Sequence, residues 1–186
     1  MQLTLLVAIG CVAVSLWAWR DNTQYYWHQW GFVPYRIAHN KEWYRFFTSI
    51  FFHSDWIHLL VNLLVFYSFG SSVERYYGKV LYAALLAAGI MGSGLATYIR
   101  YRKNPAHVSI GLSGVVNAVL FAFIVHNPQS TLLVFLVLPL PAWIFALIYI
   151  FYTIYEARRG MSVMNHWAHL GGAAAGMAFG YIVLIT

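Results

Sequence analysis

Long apolar stretches recur along the chain, separated by short polar segments. A helix needs about 20 apolar residues to cross the roughly 30 Å hydrocarbon core of a bilayer. The pattern predicts membrane helices at about 3–19, 56–74, 80–99, 113–126, 131–153 and 166–185. We therefore expect an all-α membrane protein, built as a bundle of six transmembrane helices.

The fourth predicted helix is shorter than a bilayer is thick. If it begins near Ser113 and ends before Asn127, its ~14 residues rise only about 21 Å. One end then stops inside the membrane, where non-helical backbone is tolerated only beside protein or a water-filled cavity. This predicts a cavity with Ser113 at its floor.

The first connection, from about residue 20 to residue 55, is long and rich in Tyr, Trp and Phe. Such a density of rings is typical of the membrane interface, so we expect this first loop to lie partly there. No repeat, low-complexity tract or linker divides the chain, and residues 1–186 are expected to form a single domain.

Composition excludes a soluble domain, because 61% of the residues are hydrophobic and only 9% are charged. The net charge of +6 is spread over short loops, which favours anchoring to lipid headgroups and argues against a nucleic-acid partner. Cys11 is the only cysteine, so an internal disulfide and a cysteine metal cluster are excluded. The first apolar stretch lacks a basic start and is interpreted as a retained helix rather than a signal peptide.

Two residues suggest acyl-transfer chemistry, which needs a nucleophile, a base within hydrogen-bond reach and donors for an oxyanion. Ser113 stands between glycines at the start of a helix, where free N–H groups face developing negative charge. His169 lies one turn into the last helix, and an ionisable group there is a candidate for function. A packing serine and a histidine bonded to a neighbouring carbonyl are the structural alternatives.

Stripes of small residues run beside both candidates. On the last helix the stripe shares the face of His169: Gly172, Gly176 and Gly180. On the fourth helix it follows Ser113: Gly114, Ala118 and Ala122. Small residues let two helices approach closely, so packing these stripes together would bring Ser113 and His169 within reach of each other.

The second helix carries His58 and Asn62 on one face, four residues apart and close to its start. These side chains could donate hydrogen bonds to an oxyanion. Mutual hydrogen bonding that holds helices together is an equally good interpretation of the spacing.

Four motifs resemble those of the rhomboid family of intramembrane serine proteases. GLSG at 111–114 is similar to the nucleophile motif, AHLGG at 168–172 to the base motif, and HSDWIHLLVN at 53–62 to the segment that enters the second helix. VERYYG at 73–78 resembles a structural turn of the family. The likeness extends, in order and with compatible spacing, from about residue 40 to residue 180.

The resemblance implies a catalytic dyad of Ser113 and His169, with His58, Asn62 and the Ser113 amide as the oxyanion site. We expect support from four neighbours of the site: Gly111, Gly114, Asn117 and Gly172. No metal and no cofactor is expected. None of the five acidic residues lies on the fourth or last predicted helix, so something other than a carboxylate must orient the base.

Two positions depart from the family pattern. Asn117 stands where bacterial members commonly carry an aromatic ring stacked on the histidine. We expect the Asn117 carbonyl to accept the proton on the His169 nitrogen that faces away from Ser113. Tyr44-Arg45 replaces a Trp-Arg pair in the first loop.

The resemblance implies an intramembrane serine endopeptidase that cleaves transmembrane segments of membrane proteins, and a multi-pass location in the lipid bilayer of the bacterial inner membrane. It also implies a cytoplasmic N-terminus. That orientation places nine of the eleven Lys and Arg residues outside, against the positive-inside rule.

Two other functions fit parts of the sequence. Eight histidines in a membrane chain could ligate haem or a metal, although a zinc-protease His-Glu-x-x-His motif is absent. A relative without activity could merely bind transmembrane segments, but it would then have kept both Ser113 and His169.

Overall fold

The structure is a computed structural model that describes residues 2–20, 23–134, 137–160 and 164–186. It is mostly helical, with one two-stranded sheet in the described part of the chain. The main helices are α1 (Leu3–Trp19), α5 (Trp56–Tyr101), α6 (Ser113–His126), α7 (Ala142–Arg159) and α8 (His166–Ile185). Shorter elements connect them: α2 (Thr23–Trp30), α3 (Pro34–Asn40), α4 (Arg45–Thr48), a 3-10 turn (Ser49–Phe51), β1 (Thr131–Val134) and β2 (Leu138–Pro141).

Three helices have the predicted bounds, namely α1, α6 and α8. Two predicted segments, 56–74 and 80–99, are the arms of α5, which is interrupted at Gly78. The φ of 72° and ψ of 167° at Gly78 belong to a region that is essentially restricted to glycine. The chain therefore changes direction within what would otherwise be one 46-residue helix.

The predicted start of the fifth helix at about residue 131 is wrong. An antiparallel hairpin of β1 and β2 occupies this stretch, and α7 begins only at Ala142. Pro139 and Pro141 explain the difference, because proline lacks the N–H that a helix interior requires. Residues 135 and 136 lie outside the described part of the chain.

The first connection folds into α2, α3, α4 and the 3-10 turn rather than an open loop. Arg45 is fully buried in it and donates to Glu42 at 2.5 Å and to the Gly31 carbonyl at 2.7 Å. Burial alone would raise the Glu42 pKa, but hydrogen bonds from Arg45 and Asn40 and the Arg45 charge lower it. The buried Arg45 guanidinium thus joins Glu42 to Gly31 within the first connection.

A backbone bridge links the first connection to the segment that precedes α6. Phe32 N–H donates to the Ser109 carbonyl at 2.8 Å, and Ser109 N–H donates to the Phe32 carbonyl at 3.0 Å. The segment that leads into Ser113 is thus held by residues outside the helix that Ser113 begins.

Glu74 joins α1 to α5. Its carboxylate accepts the backbone N–H groups of Leu3 and Thr4, at 2.7 and 2.9 Å, and the Thr4 hydroxyl at 2.7 Å. Unpaired amides at a helix start favour a negative partner, so Glu74 caps α1 from a different helix. Glu74, in the VERYYG segment singled out in the sequence, therefore has a structural role.

By length and composition, α5 and α8 are the two described helices that could each cross a membrane, while α1 and α6 are apolar but shorter. Large apolar side chains also face outward along the helices. Val80, Ile99 and Phe151 are 83%, 70% and 71% exposed. Surfaces of this kind fit hydrocarbon better than water.

The predicted stripe packing of α6 against α8 is confirmed. A Cβ added at Gly172 would collide with the Gly114 carbonyl, and one added at Gly176 would collide with the Ala118 backbone. At Gly180 the nearest atom, Ala122 Cα, would lie 3.2 Å away. The two helices therefore touch backbone to backbone at their Ser113 and His169 ends and diverge slightly beyond.

We expect Gly176→Leu to lower the stability of the protein in detergent by at least about 2 kcal/mol, because overpacking against backbone cannot relax by a rotamer change. Ala174→Leu adds a comparable side chain at an exposed position of α8 and is expected to have little effect. Thermal unfolding measures both variants. Equal melting temperatures would contradict the close contact.

Candidate active site

Ser113 and His169 meet between the starts of α6 and α8. The His169 Nε2 atom lies 2.8 Å from Ser113 Oγ, a normal hydrogen-bond distance. His169 is buried, and both side chains line a cavity of about 1000 Å³. The geometry is that of a nucleophile with an adjacent base.

Ser113 owes its place to the turn before α6. Gly111 has φ of 114°, a conformation that L residues rarely adopt, and its N–H donates to the Ser49 carbonyl at 3.0 Å. Leu112 is the N-cap, so Ser113 is the first residue of the helix. Amides in a first turn have no partner within the helix and can face a developing negative charge.

His58 lies directly against this turn, since a Cβ on Gly111 would come within 2.8 Å of its ring. The Ser54 backbone N–H points at His58 Nδ1 from 3.3 Å. Ser54 Oγ, which donates to Asp55, lies 3.1 Å from the same nitrogen. In the tautomer whose Nδ1 accepts the Ser54 N–H, the ring proton is on Nε2, the nitrogen nearer to Gly111. In that tautomer His58 can donate a hydrogen bond beside the turn before Ser113.

Asn62 lies one turn further along α5 and lines the same cavity as His58 and Ser113. One of its amide hydrogens is donated to the His58 carbonyl at 2.7 Å. An amide carries two N–H donors, so the second is left for a ligand in the cavity. The structure thus brings all three residues of the predicted oxyanion site to one cavity.

The predicted hydrogen bond between Asn117 and His169 is wrong. The Asn117 amide folds back on α6 and donates to the Ser113 carbonyl at 2.8 Å, as a polar side chain in an apolar helix commonly does. Tyr149 of α7 occupies the predicted place instead, with Oη 3.4 Å from His169 Nδ1. No pattern in the sequence distinguishes Tyr149 from the other aromatic residues of its helix.

His53 is a second residue that the sequence did not single out for a role. It is buried between α1 and the turn before Ser113: Nδ1 lies 3.1 Å from Ser15 Oγ, and Nε2 accepts the Leu112 N–H at 3.4 Å. Burial lowers the pKa of His53 to about 4. The ring is therefore neutral at pH 7, as its acceptor role requires.

Asn165 holds the start of α8. Its Oδ1 accepts the Ala168 N–H at 3.1 Å, and its Nδ2 donates to Thr97 Oγ1 at 2.9 Å and Ser109 Oγ at 3.0 Å. Asparagine before a helix is a common N-cap, a signal that could have been read from the sequence. The bonds to Thr97 and Ser109 fix the helix that carries His169 against α5 and the segment before Ser113.

One carboxylate, that of Asp55, lines the same cavity as Ser113 and His169. Asp55 caps α5, and hydrogen bonds from the Ser54 side chain and the His58 backbone lower the Asp55 pKa. Within the described ranges, no carboxylate hydrogen-bonds to His169, and no group of three or more His, Cys, Asp or Glu side chains converges as metal ligands would. The site offers acid-base and nucleophilic chemistry.

Comparison with known proteins gives a consistent picture. The model of the Rhomboid domain matches residues 40–186. The chain is 30% identical over 184 residues to Rhomboid protease GlpG of Salmonella paratyphi A, covering 96% of this chain and 62% of that protein. It is 30% identical over 142 residues to RHOMBOID-like protein 12, mitochondrial, of Arabidopsis thaliana, covering 68% of this chain and 42% of that protein. The chain thus spans less than two thirds of the length of either relative.

The depressed pKa of His53 predicts a pH-dependent stability. Between its ordinary value of 6.5 and about 4, the unfolded chain binds a proton that the folded ring does not, so stability falls as the pH is lowered through this window. We expect His53→Gln, which cannot titrate, to make the fall shallower.

Melting temperatures in detergent at pH 4, 5, 6 and 7 test this expectation. His39→Gln, at an exposed position of α3, is the matched control and should keep the wild-type slope. Parallel curves for wild type and His53→Gln would contradict the assignment.

Proposed function

The chain belongs to the rhomboid family, and we propose that it is an intramembrane serine endopeptidase with Ser113 as nucleophile and His169 as general base. The observation that carries the proposal is the 2.8 Å contact between Ser113 Oγ and His169 Nε2 at a cavity within an apolar helical protein. The similar Salmonella protein, GlpG, is named as a rhomboid protease, which supports the same activity.

Acylation begins when Ser113 Oγ attacks the carbonyl carbon of the scissile peptide bond. His169 Nε2 takes the hydroxyl proton as the new C–O bond forms. The carbonyl oxygen becomes an oxyanion, and we assign its donors to His58 Nε2, the Asn62 amide and the Ser113 backbone N–H. Collapse of the intermediate breaks the C–N bond, and the leaving amine receives the proton from His169.

Deacylation repeats these steps with water. His169 accepts a proton from a water molecule in the cavity while the water oxygen attacks the ester carbon. The same donors hold the second oxyanion. Ser113 Oγ leaves with the proton that His169 returns, which restores the resting pair.

The substrates that fit such a site are transmembrane segments of other membrane proteins. A helical peptide bond is shielded by its own hydrogen bonds, so the substrate strand must unwind beside Ser113, and helix-weakening residues would favour cleavage. We propose six spans for the enzyme itself, with α5 supplying two of them on either side of Gly78. The 14-residue α6 then ends inside the bilayer.

We propose a location in the bacterial inner membrane, in line with the bacterial relative. The cavity that contains Ser113 opens to the side of the membrane opposite the cytoplasmic N-terminus. The many basic residues on that side are accommodated because much of the first connection is folded, as Arg45 in its ion pair with Glu42 illustrates. Labelling of a cysteine introduced at the exposed Asn104, from one side of intact cells, tests the orientation.

We expect Ser113→Ala and His169→Ala each to abolish cleavage of a model transmembrane substrate in liposomes while leaving the fold intact. The double variant should be no slower than either single one, because the two residues act as a unit. A fluorophosphonate probe should label Ser113 in the wild type and fail to label His169→Ala.

Two control substitutions remove the same groups elsewhere: Ser68→Ala and His39→Ala, both at exposed positions. They should retain full activity. Labelling of a serine other than Ser113, or a double variant far slower than both single ones, would exclude the dyad.

If Asn62 donates to the oxyanion, its removal should lower kcat and leave KM nearly unchanged. Removing one such donor costs about 10²- to 10³-fold in kcat, and we expect this for Asn62→Ala with little change in KM. Asn127→Ala is the matched control, since Asn127 also donates to the carbonyl four residues earlier but lies at the exposed end of α6. Equal kcat values for the two variants would remove Asn62 from the site.

A further inference from the structure

The orientation of His169 poses a chemical problem. To accept the Ser113 proton, Nε2 must be unprotonated, so the proton of the neutral ring resides on Nδ1. A buried N–H needs an acceptor, which a carboxylate supplies in a Ser-His-Asp triad. No carboxylate of the described residues hydrogen-bonds to Nδ1.

Tyr149 is the hydrogen-bonding side chain found at this nitrogen. Its Oη lies 3.4 Å from Nδ1, a long contact of the kind that tightens when an imidazole gains charge. Two aromatic neighbours restrict the position of its ring. Phe145 stacks on it at 5.6 Å between ring centres and Phe121 packs at 5.7 Å.

The Asn117 amide gives the Tyr149 hydroxyl a second partner. Asn117 Oδ1 is buried and accepts no hydrogen bond of ordinary length from a described residue, although the Asn117 and Tyr149 side chains interact. A hydroxyl can accept one hydrogen bond and donate another. If Nδ1–H donates to Oη, the Tyr149 proton is left to point at Asn117 Oδ1, which a buried carbonyl oxygen requires.

We propose that Tyr149 is the positioning residue of the base: its hydroxyl accepts a hydrogen bond from the Nδ1–H of His169 and donates one to Asn117 Oδ1. This inference rests on the proposed function. Tyr149 holds the tautomer in which Nε2 faces Ser113, and it stabilises the imidazolium formed when Ser113 attacks. No proton leaves Nδ1. Asn117 then acts on the base through Tyr149.

Tyr149→Phe tests the proposal because it removes one oxygen and keeps the stacked ring. We expect kcat to fall by about 10- to 100-fold, less than the ~10⁴-fold that loss of a triad carboxylate function costs, since a phenol is neutral. KM should be unchanged. Tyr155→Phe removes a hydroxyl from an exposed residue of the same helix and should behave as wild type.

A double-mutant cycle separates positioning from simple packing. Asn117→Ala should lower kcat in the wild type and have no further effect in the Tyr149→Phe background, because both act through one hydroxyl. Fully multiplicative losses would overturn the proposed chain of hydrogen bonds.

The tautomer itself can be observed without turnover, by ¹⁵N NMR of histidine-labelled protein with His169→Ala to assign the signal. We expect the Nδ1–H form of His169 in the wild type and a mixture of tautomers in Tyr149→Phe. An unchanged tautomer together with wild-type kcat would overturn the proposal. A wild-type protein that shows the expected tautomer but neither cleaves substrate nor reacts with fluorophosphonate would contradict the proposed function, while the hydrogen bond between His169 and Tyr149 would stand.

Discussion

The backbone contact between α6 and α8 is the constraint on which the rest of the site depends. Gly172 and Gly176 leave no room for a side chain against Gly114 and Ala118, so the backbones of these two helices are in direct contact. In lipid there is no hydrophobic force between helices, and close packing of this kind is what holds them together. The same contact sets the 2.8 Å separation of Ser113 Oγ and His169 Nε2.

Several polar side chains of α5, α6 and α7 donate a hydrogen bond within their own helix, which suits an apolar surrounding. The hydroxyl or amide donates to the carbonyl four residues earlier in each of these cases: Asn62, Ser93, Thr97, Asn117 and Thr153. Such bonds remove the cost of an unpaired donor without requiring water. An amide has one N–H donor and its carbonyl acceptor to spare after this bond, and Asn62 and Asn117 both line the cavity that contains Ser113.

Each histidine beside Ser113 has a polar neighbour at its Nδ1 atom. Ser54 lies at Nδ1 of His58, and the partner at Nδ1 of His169 comes from a third helix, α7. A further histidine, His53, supports the turn before Ser113 with its ring in the neutral form. Neutral partners suit a membrane interior, because an isolated carboxylate is costly to bury there.

The bounds of α1, α6 and α8 and the meeting of Ser113 with His169 could be predicted from apolar length, helical spacing and small-residue stripes, all of which are local patterns. The turn that ends at Gly78 was predicted from the resemblance of its motif to the family. The sequence did not predict that Tyr149, and not Asn117, lies at the far nitrogen of His169, because this depends on tertiary packing. The position of Tyr149 depends on which face of α7 is turned toward α8 and on where the preceding hairpin ends. Because α7 is apolar on most sides, its sequence has no amphipathic pattern that would predict the inward face.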